Sequence, residues 1–336
     1  MKTRTMSLLA FAALVAIESP AQTNTGTTVA QFLLIEPSAR IGGMGNAGVS
    51  IPGDVTSSYY NPAALGLFTA NGAEFSHSPW LADISYNYAT AAIQAGEVGV
   101  FSLGFTSLNS GDIDVRTVSQ PLGTGERYTA SSIAIGLGYG RMISENFSAG
   151  MQISWLQETI WHSSMSAFAI SVGTIYRLSA DGLHIGASLS NFGTRAKYDG
   201  TDLRIQYDAD PDRYGDNSAL PAAMYVEDYP LPIIFRVGVS YPFALAEDHR
   251  LLVAADACHP SDNTESVSLG AEYTALRIFS LRAGYQNLFL QDSEVGLTLG
   301  AGIAYTIDTY ALRFDYAWAD YGRLNSTQRF TLGVSF

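Results

Sequence analysis

Two histidine and serine neighbourhoods are the places where nucleophilic chemistry could arise in this chain: Ser76, His77 and Ser78, and then His162, Ser163 and Ser164. A serine nucleophile needs an imidazole within hydrogen-bond reach and an acid that orients the ring. Neighbours on a strand point to opposite faces, and no acid is placed to orient either imidazole, so catalysis is not expected. Asp256, Cys258, His259 and Asp262 have the residue types of a metal site, but Pro260 interrupts them and the spacing fits no familiar zinc pattern. Neither a metal nor another cofactor is expected. Gly42, Gly43, Gly45 and Gly48 could cradle a phosphate, yet the run lacks a preceding strand and a Lys-Ser/Thr ending. It reads as a tightly folded loop.

The elements that must position any site are strands. From about residue 71 apolar residues alternate with small or polar ones in fourteen segments of about ten residues, as in spans of a transmembrane barrel. Their expected spans are 71–78, 82–93, 97–108, 128–140, 146–158, 165–178, 183–198, 231–243, 249–258, 265–275, 278–288, 294–307, 309–318 and 326–336. Leu297, Leu299, Ile303 and Tyr305 point one way, Thr298, Gly300 and Gly302 the other. The last segment places Phe330, Leu332, Val334 and Phe336 on the lipid face, with Phe330 and the terminal Phe336 as the expected assembly signal. Connection lengths separate a barrel from a soluble sandwich. The tight turns 94–96, 179–182, 276–277 and 308 alternate with longer polar loops, the largest being 109–127 and 199–230, as barrels with periplasmic turns and extracellular loops do.

The chain ends agree. Lys2 and Arg4 precede the apolar run 6–17, and small residues follow at 19–21, so residues 1–21 read as a cleaved signal peptide. The run of 12 apolar residues is shorter than the roughly 20 that a spanning helix needs, and no later stretch supplies one. A chain that spans a membrane without helices must close its strands into a barrel. The formal charge of −13 becomes −14 once Lys2, Arg4 and Glu18 are removed, which excludes nucleic acid as an expected partner.

The alternation places Arg236, Asp256, Glu272, Arg282, Arg313, Asp315 and Arg329 on the lumen face, where mixed signs on neighbouring strands would pair and bind the segment ahead of the barrel, or else line a polar ligand path. Residues 22–70 do not read as strands and are expected to form a hatch, with Arg40, Gly42, Gly43, Gly45, Asn61 and Pro62 as its defining positions; a lumen of this size would otherwise hold water. The loop 199–230 carries eight acids against two arginines. Its Asp208, Asp210 and Asp212, with Tyr214, Tyr225 and Tyr229, form a candidate partner surface. Solvation beside lipopolysaccharide is the alternative for that loop.

The run Phe32-Leu33-Leu34-Ile35 through Ala39-Arg40-Ile41-Gly42-Gly43-Met44-Gly45, followed by Asn61-Pro62-Ala63, resembles the N-terminal hatch of the PorV/PorQ group of FadL-like outer-membrane proteins. The segments Leu189-Ser190-Asn191-Phe192-Gly193, Phe235-Arg236-Val237-Gly238 and Leu281-Arg282-Ala283-Gly284-Tyr285 are similar too. The resemblance implies an all-β, fourteen-stranded antiparallel barrel over 71–336 in the outer membrane of a Gram-negative-type bacterium, with a plug at 22–70. It implies two functions: a carrier that meets secreted cargo proteins and a translocon in type IX secretion, or a channel for small hydrophobic compounds. Outer-membrane lipid, lipopolysaccharide and the barrel-assembly machinery are the further partners it implies.

Overall fold

The structure, a computed structural model, describes residues 25–336 except 180, 214, 216–218 and 291–292. The expected signal peptide and Tyr214 lie outside the described residues. Fourteen strands form the wall: β1 Gly72–Pro79, β2 Ser85–Gln94, β3 Val100–Asn109, β4 Ala130–Ser144, β5 Phe147–Ile160, β6 Ser163–Arg177, β7 His184–Gly193, β8 Ile234–Ala246, β9 His249–Pro260, β10 Ser266–Ala275, β11 Phe279–Leu288, β12 Leu297–Ile307, β13 Tyr310–Asp320 and β14 Ser326–Ser335. Each pairs antiparallel with its neighbours in sequence, and β1 pairs with β14 from Gly72↔Ser335 to His77↔Phe330, so the sheet closes on itself. The last residue joins the closure, since Phe336 and Asn71 exchange backbone hydrogen bonds of 2.9 and 3.0 Å.

The alternation explains both faces. Phe101, Leu103 and Phe105 on β3, and Phe235, Val237, Val239, Tyr241 and Phe243 on β8, are all exposed on the outer surface. So wide an apolar band would be an aggregation hazard in water and is the lipid face of a barrel. A ten-residue strand is about 34 Å long and at a tilt of about 40° covers roughly 26 Å, the height of that band. Phe330 packs on Tyr316 at 5.2 Å and Phe336 on Tyr310 at 6.1 Å, both on this face. Among the described residues no helix is long and apolar enough to cross a membrane.

Connections alternate between two ends, with local departures from expectation. The turn expected at 94–96 spans 95–99, because Gly96 and Gly99 both take positive φ there and delay β3 to Val100. The strand expected to run to 198 ends at Gly193: Asn191 adopts φ +62, a left-handed conformation that asparagine tolerates, and the register shifts beside it. The loop end also carries one tight connection, Trp161 and His162 between β5 and β6. The long loop is not wholly irregular, since Arg204–Tyr207 and Leu220–Ala223 form a two-stranded ribbon.

Residues 30–67 lie within the ring of strands as short helical turns, Gln31–Leu34, Ala39–Gly42, Ser57–Tyr60 and Pro62–Leu67. Ser38 caps the second by accepting a bond from the Ile41 amide at 3.2 Å, and Pro62 opens the last where its missing N–H costs nothing. Ile41, Met44, Ala47, Ile51 and Tyr60 are fully buried against Leu252 and Ala254 of β9. Each large apolar side chain so removed from water contributes roughly 1.5–3 kcal/mol.

Candidate functional site in the lumen

Close approach between the lumen segment and the wall depends on small residues on both sides. A Cβ on Gly43 would lie 2.9 Å from the Gly300 Cα of β12. Gly45, at φ +66, passes so near β10 and β11 that a Cβ would lie 2.6 Å from the Leu269 carbonyl oxygen. Its amide donates to Thr298 Oγ1 at 2.9 Å. Asn61 fastens the other side: its Nδ2 donates to the carbonyls of Val49 at 2.8 Å and Thr174 at 3.0 Å, while its Oδ1 accepts the Ala63 amide at 3.0 Å. Thr331 accepts the Ala39 amide at 3.0 Å, and Ser188 donates to the Tyr60 carbonyl at 2.8 Å.

The charged lumen residues fall into two groups. Glu272, Arg282, Arg313 and Asp315 gather in one network with Arg40, Asp54 and Glu74. Arg40 bonds Glu272 through two nitrogens at 2.9 and 2.7 Å, and Arg282 bonds the same carboxylate at 2.6 Å. Arg282 also meets Asp315 at 2.8 Å; Arg313 meets Asp315 at 2.7 Å, Glu74 at 2.7 Å and Asp54 at 3.1 Å. Glu74 in turn accepts the amides of Val55 and Thr56 at 3.2 and 3.0 Å. Three guanidiniums and four carboxylates thus tie β1, β10, β11 and β13 to the segment at Arg40 and Asp54.

Arg236, Asp256 and Arg329 stand apart from this network. Each instead holds the lumen segment alone: Arg236 with Glu36 at 3.8 Å, Asp256 with the Val49 amide at 2.8 Å, and Arg329 with the Ser38 carbonyl at 3.4 Å. Sequence reasoning missed Glu74 although it sits on the inward parity of β1 with Ser76 and Ser78. It also missed Glu36, Asp54 and Glu158, and for the first two no periodicity was available. Glu158 anchors the upper end of the segment, accepting from the Ala30 amide, Ser132 and Tyr198, each at 3.1 Å.

At the short-turn end a vestibule of about 1170 Å³ opens below the network, with Ile51, Pro52 and Gly53 of the segment in its lining. Toward the loops a cavity of about 40 Å³ remains between Tyr59, Tyr88, Gln152 and Arg236.

The other candidate residues disperse. Asp256, Cys258, His259 and Asp262 do not converge: Asp262 accepts from Thr28 and Gln31 at 2.6 and 2.7 Å, and His259 pairs with Glu265 at 2.9 Å. His77 bonds the Asn87 side chain at 2.8 Å. His162, in contrast, does have an acid, since Asp202 Oδ1 lies 2.9 Å from its Nδ1, brought there by the long loop. The imidazole holds the Asp202 carboxyl below its usual range. Of the loop candidates, Asp212 and Tyr225 are exposed, Asp208 and Asp210 half-buried, and Tyr229 is bridged to Ala196.

A family model described as type IX secretion system protein PorV matches residues 18–207, more than half of the chain and the whole lumen segment with it. The chain belongs to the PorV family. Comparison with curated protein sequences returns no match. Among solved structures the PorV-family chain is similar to the Pseudomonas putida toluene transporter TodX, with a TM-score of 0.55 and 13% identity over 89% of this chain and 96% of that one. A Pseudomonas aeruginosa FadL homologue gives 0.53 and 11% over 89% and 98%, and the Ralstonia pickettii toluene transporter TbuX 0.51 and 11% over 89% and 96%. At these identities the likeness is one of fold, a FadL-like barrel.

Proposed function

We propose that the protein serves type IX secretion in the outer membrane, receiving exported cargo at its loop face while residues 22–70 act as a hatch that closes the lumen. The observation that carries this reading is the family match over residues 18–207. Several features support it. A carrier works through its surface, and the loop 199–230, which holds the exposed ribbon Arg204–Tyr207 with Leu220–Ala223, carries eight acids and four tyrosines. The lumen segment is fastened at both ends and along its length, which suits a barrel whose interior is structural. In this reading the signal peptide directs export, the barrel-assembly machinery inserts the chain, and lipopolysaccharide and membrane lipid surround it.

Deleting residues 204–223 should abolish co-purification of secreted proteins and of a translocon subunit while leaving the barrel intact. Salt should weaken the same contact, because exposed charges are screened beyond about 8 Å at physiological ionic strength. A second reading, a channel for small hydrophobic compounds, is favoured by the vestibule that reaches the segment from the short-turn end. It wins if the intact protein retrieves no partner yet speeds uptake of a hydrophobic compound.

A further inference from the structure

The tight connection between β5 and β6 is unusual in its residues. Two-residue hairpin turns with φ above zero at the first central position favour glycine or asparagine there. This turn places Trp161 at that position, with φ +54, and leaves the indole 41% exposed. A bulky side chain in the left-handed region is a genuine outlier, and such outliers concentrate at binding sites. Its surroundings are organised. Tyr128 stacks on Trp161 with centroids 5.6 Å apart and planes at 27°, and His162 stacks on it at 4.8 Å and 29°. Asp202 holds the turn from the long loop, accepting from the His162 backbone amide at 3.2 Å and bonding its Nδ1 at 2.9 Å.

These groups border an open pocket of about 560 Å³ at the loop end of the barrel, whose lining includes Tyr128, Trp161 and Tyr198 beside Asp114, Asp202 and Arg116. That volume falls within the range of small-molecule sites, about 300–1,000 Å³. The geometry points to a saccharide-binding pocket on the loop face, one that takes a sugar ring against the aromatic side chains and its hydroxyls against the carboxylates and guanidinium. Sugars present an apolar C–H face and a rim of hydroxyls that donate and accept. Tyrosine and tryptophan match the first with rigid amphipathic area, and planar charged groups match the second. A cation is a poorer occupant, because Arg116 shares the lining and Asp114 already accepts from Arg127 at 3.1 Å. An anion would meet two carboxylates, and a hydrocarbon would bury them. Asp202 retains accepting capacity, since a carboxylate offers about four lone-pair sites and His162 uses only some of them.

The test uses the full-length protein in detergent with Trp80, Trp155 and Trp318 replaced by Phe, so that emission reports on Trp161 alone. The probes are the polysaccharide released by mild acid from the parent bacterium's lipopolysaccharide, and free mannose, galactose and N-acetylglucosamine. Saturable change in Trp161 emission is expected, with Asp202→Asn weakening it about tenfold or more. Calorimetry with Trp161→Ala in the otherwise native protein should show a loss at least as large. A response to the polysaccharide alone assigns a lipid-borne glycan, and a response to free sugars assigns a soluble one. The proposal is overturned if no probe changes the emission up to about 10 mM, or if both variants, running as intact barrels on gels, bind as the unsubstituted protein does.

Discussion

Glu272→Gln isolates the role of the charged network in holding the lumen segment. The carboxylate receives three hydrogen bonds, two from Arg40 of the segment and one from Arg282 of the wall, at 2.6–2.9 Å. Removing one partner of a buried pair costs about 3–5 kcal/mol, because the charges left behind stay buried. Arg282 keeps Asp315 at 2.8 Å and Arg40 keeps Asp54 at 3.5 Å, so the lower end of that range applies. About 3 kcal/mol is roughly a hundredfold in the ratio of docked to released segment. The sequence supplies the assay: between residues 25 and 115 the only trypsin site is Arg40, itself a member of the network. When opening and closing are fast relative to cleavage, proteolysis tracks the open population. Cleavage after Arg40 should therefore rise about a hundredfold in the variant, the barrel remaining intact. Glu294→Gln, which breaks the exposed pair with Arg323, is the control and should change nothing. Unaltered cleavage after Arg40 in an intact Glu272→Gln barrel would refute the argument that the network retains the segment.

Three further outcomes are expected. The protein should migrate as a heat-modifiable barrel on gels, and removal of Phe336 should impair its assembly, because that residue closes the ladder against Asn71; normal assembly without it would discard the terminal signal. Gly284→Val on β11 should raise conductance in planar bilayers, since the added carbons would collide with the Met44–Gly45 backbone and displace the segment from a wall that otherwise stays paired; conductance equal to that of the unsubstituted protein would show the segment can shift aside. In a Cys258→Ser background, Thr25→Cys should react with an impermeant maleimide on intact cells while Asp308→Cys does not, because Thr28 bonds Asp262 and Val29 bonds Pro230 at the loop end whereas Asp308 forms a turn at the other; labelling in the reverse order would invert the assigned orientation.

The wall was legible because a two-residue period is a strong signal and both solvents, lipid and lumen, read it. All fourteen strands follow from it, as does the inward placement of Arg236, Asp256, Glu272, Arg282, Arg313, Asp315 and Arg329. Parity assigns a face but not a partner. It could not separate Glu272, which bridges two arginines, from Asp256, which accepts a backbone amide, because that choice depends on which part of the lumen segment passes by. The segment itself has no period to read. Its conformation comes from local capping at Ser38 and Asn61 and from bonds to residues more than a hundred positions away, which is why Glu36 and Asp54 escaped notice. The turn at Trp161 escaped for a related reason: the acid that orients His162 is 40 residues distant, across a loop whose course no local rule predicts.

The two halves of the lumen contact obey different physics, and this bears on how firmly the segment is held. On the β4 to β7 side the wall offers hydroxyls and bare backbone to Asn61, Pro62 and Ala63, contacts that are neutral and short-ranged. On the β10 to β13 side it offers charge, and the segment answers with Arg40 and Asp54. Neutral hydrogen bonds exchange for water with a net gain of only about 0.5–1.5 kcal/mol each, so that side can release and rebind at little cost. The charged side cannot do so cheaply, because wetting it must separate three guanidiniums from four carboxylates at once. A segment that moves would therefore hinge about Arg40 and Asp54 and detach first at Asn61, so substitutions at Asn61 should loosen the segment without the barrier that Glu272 imposes.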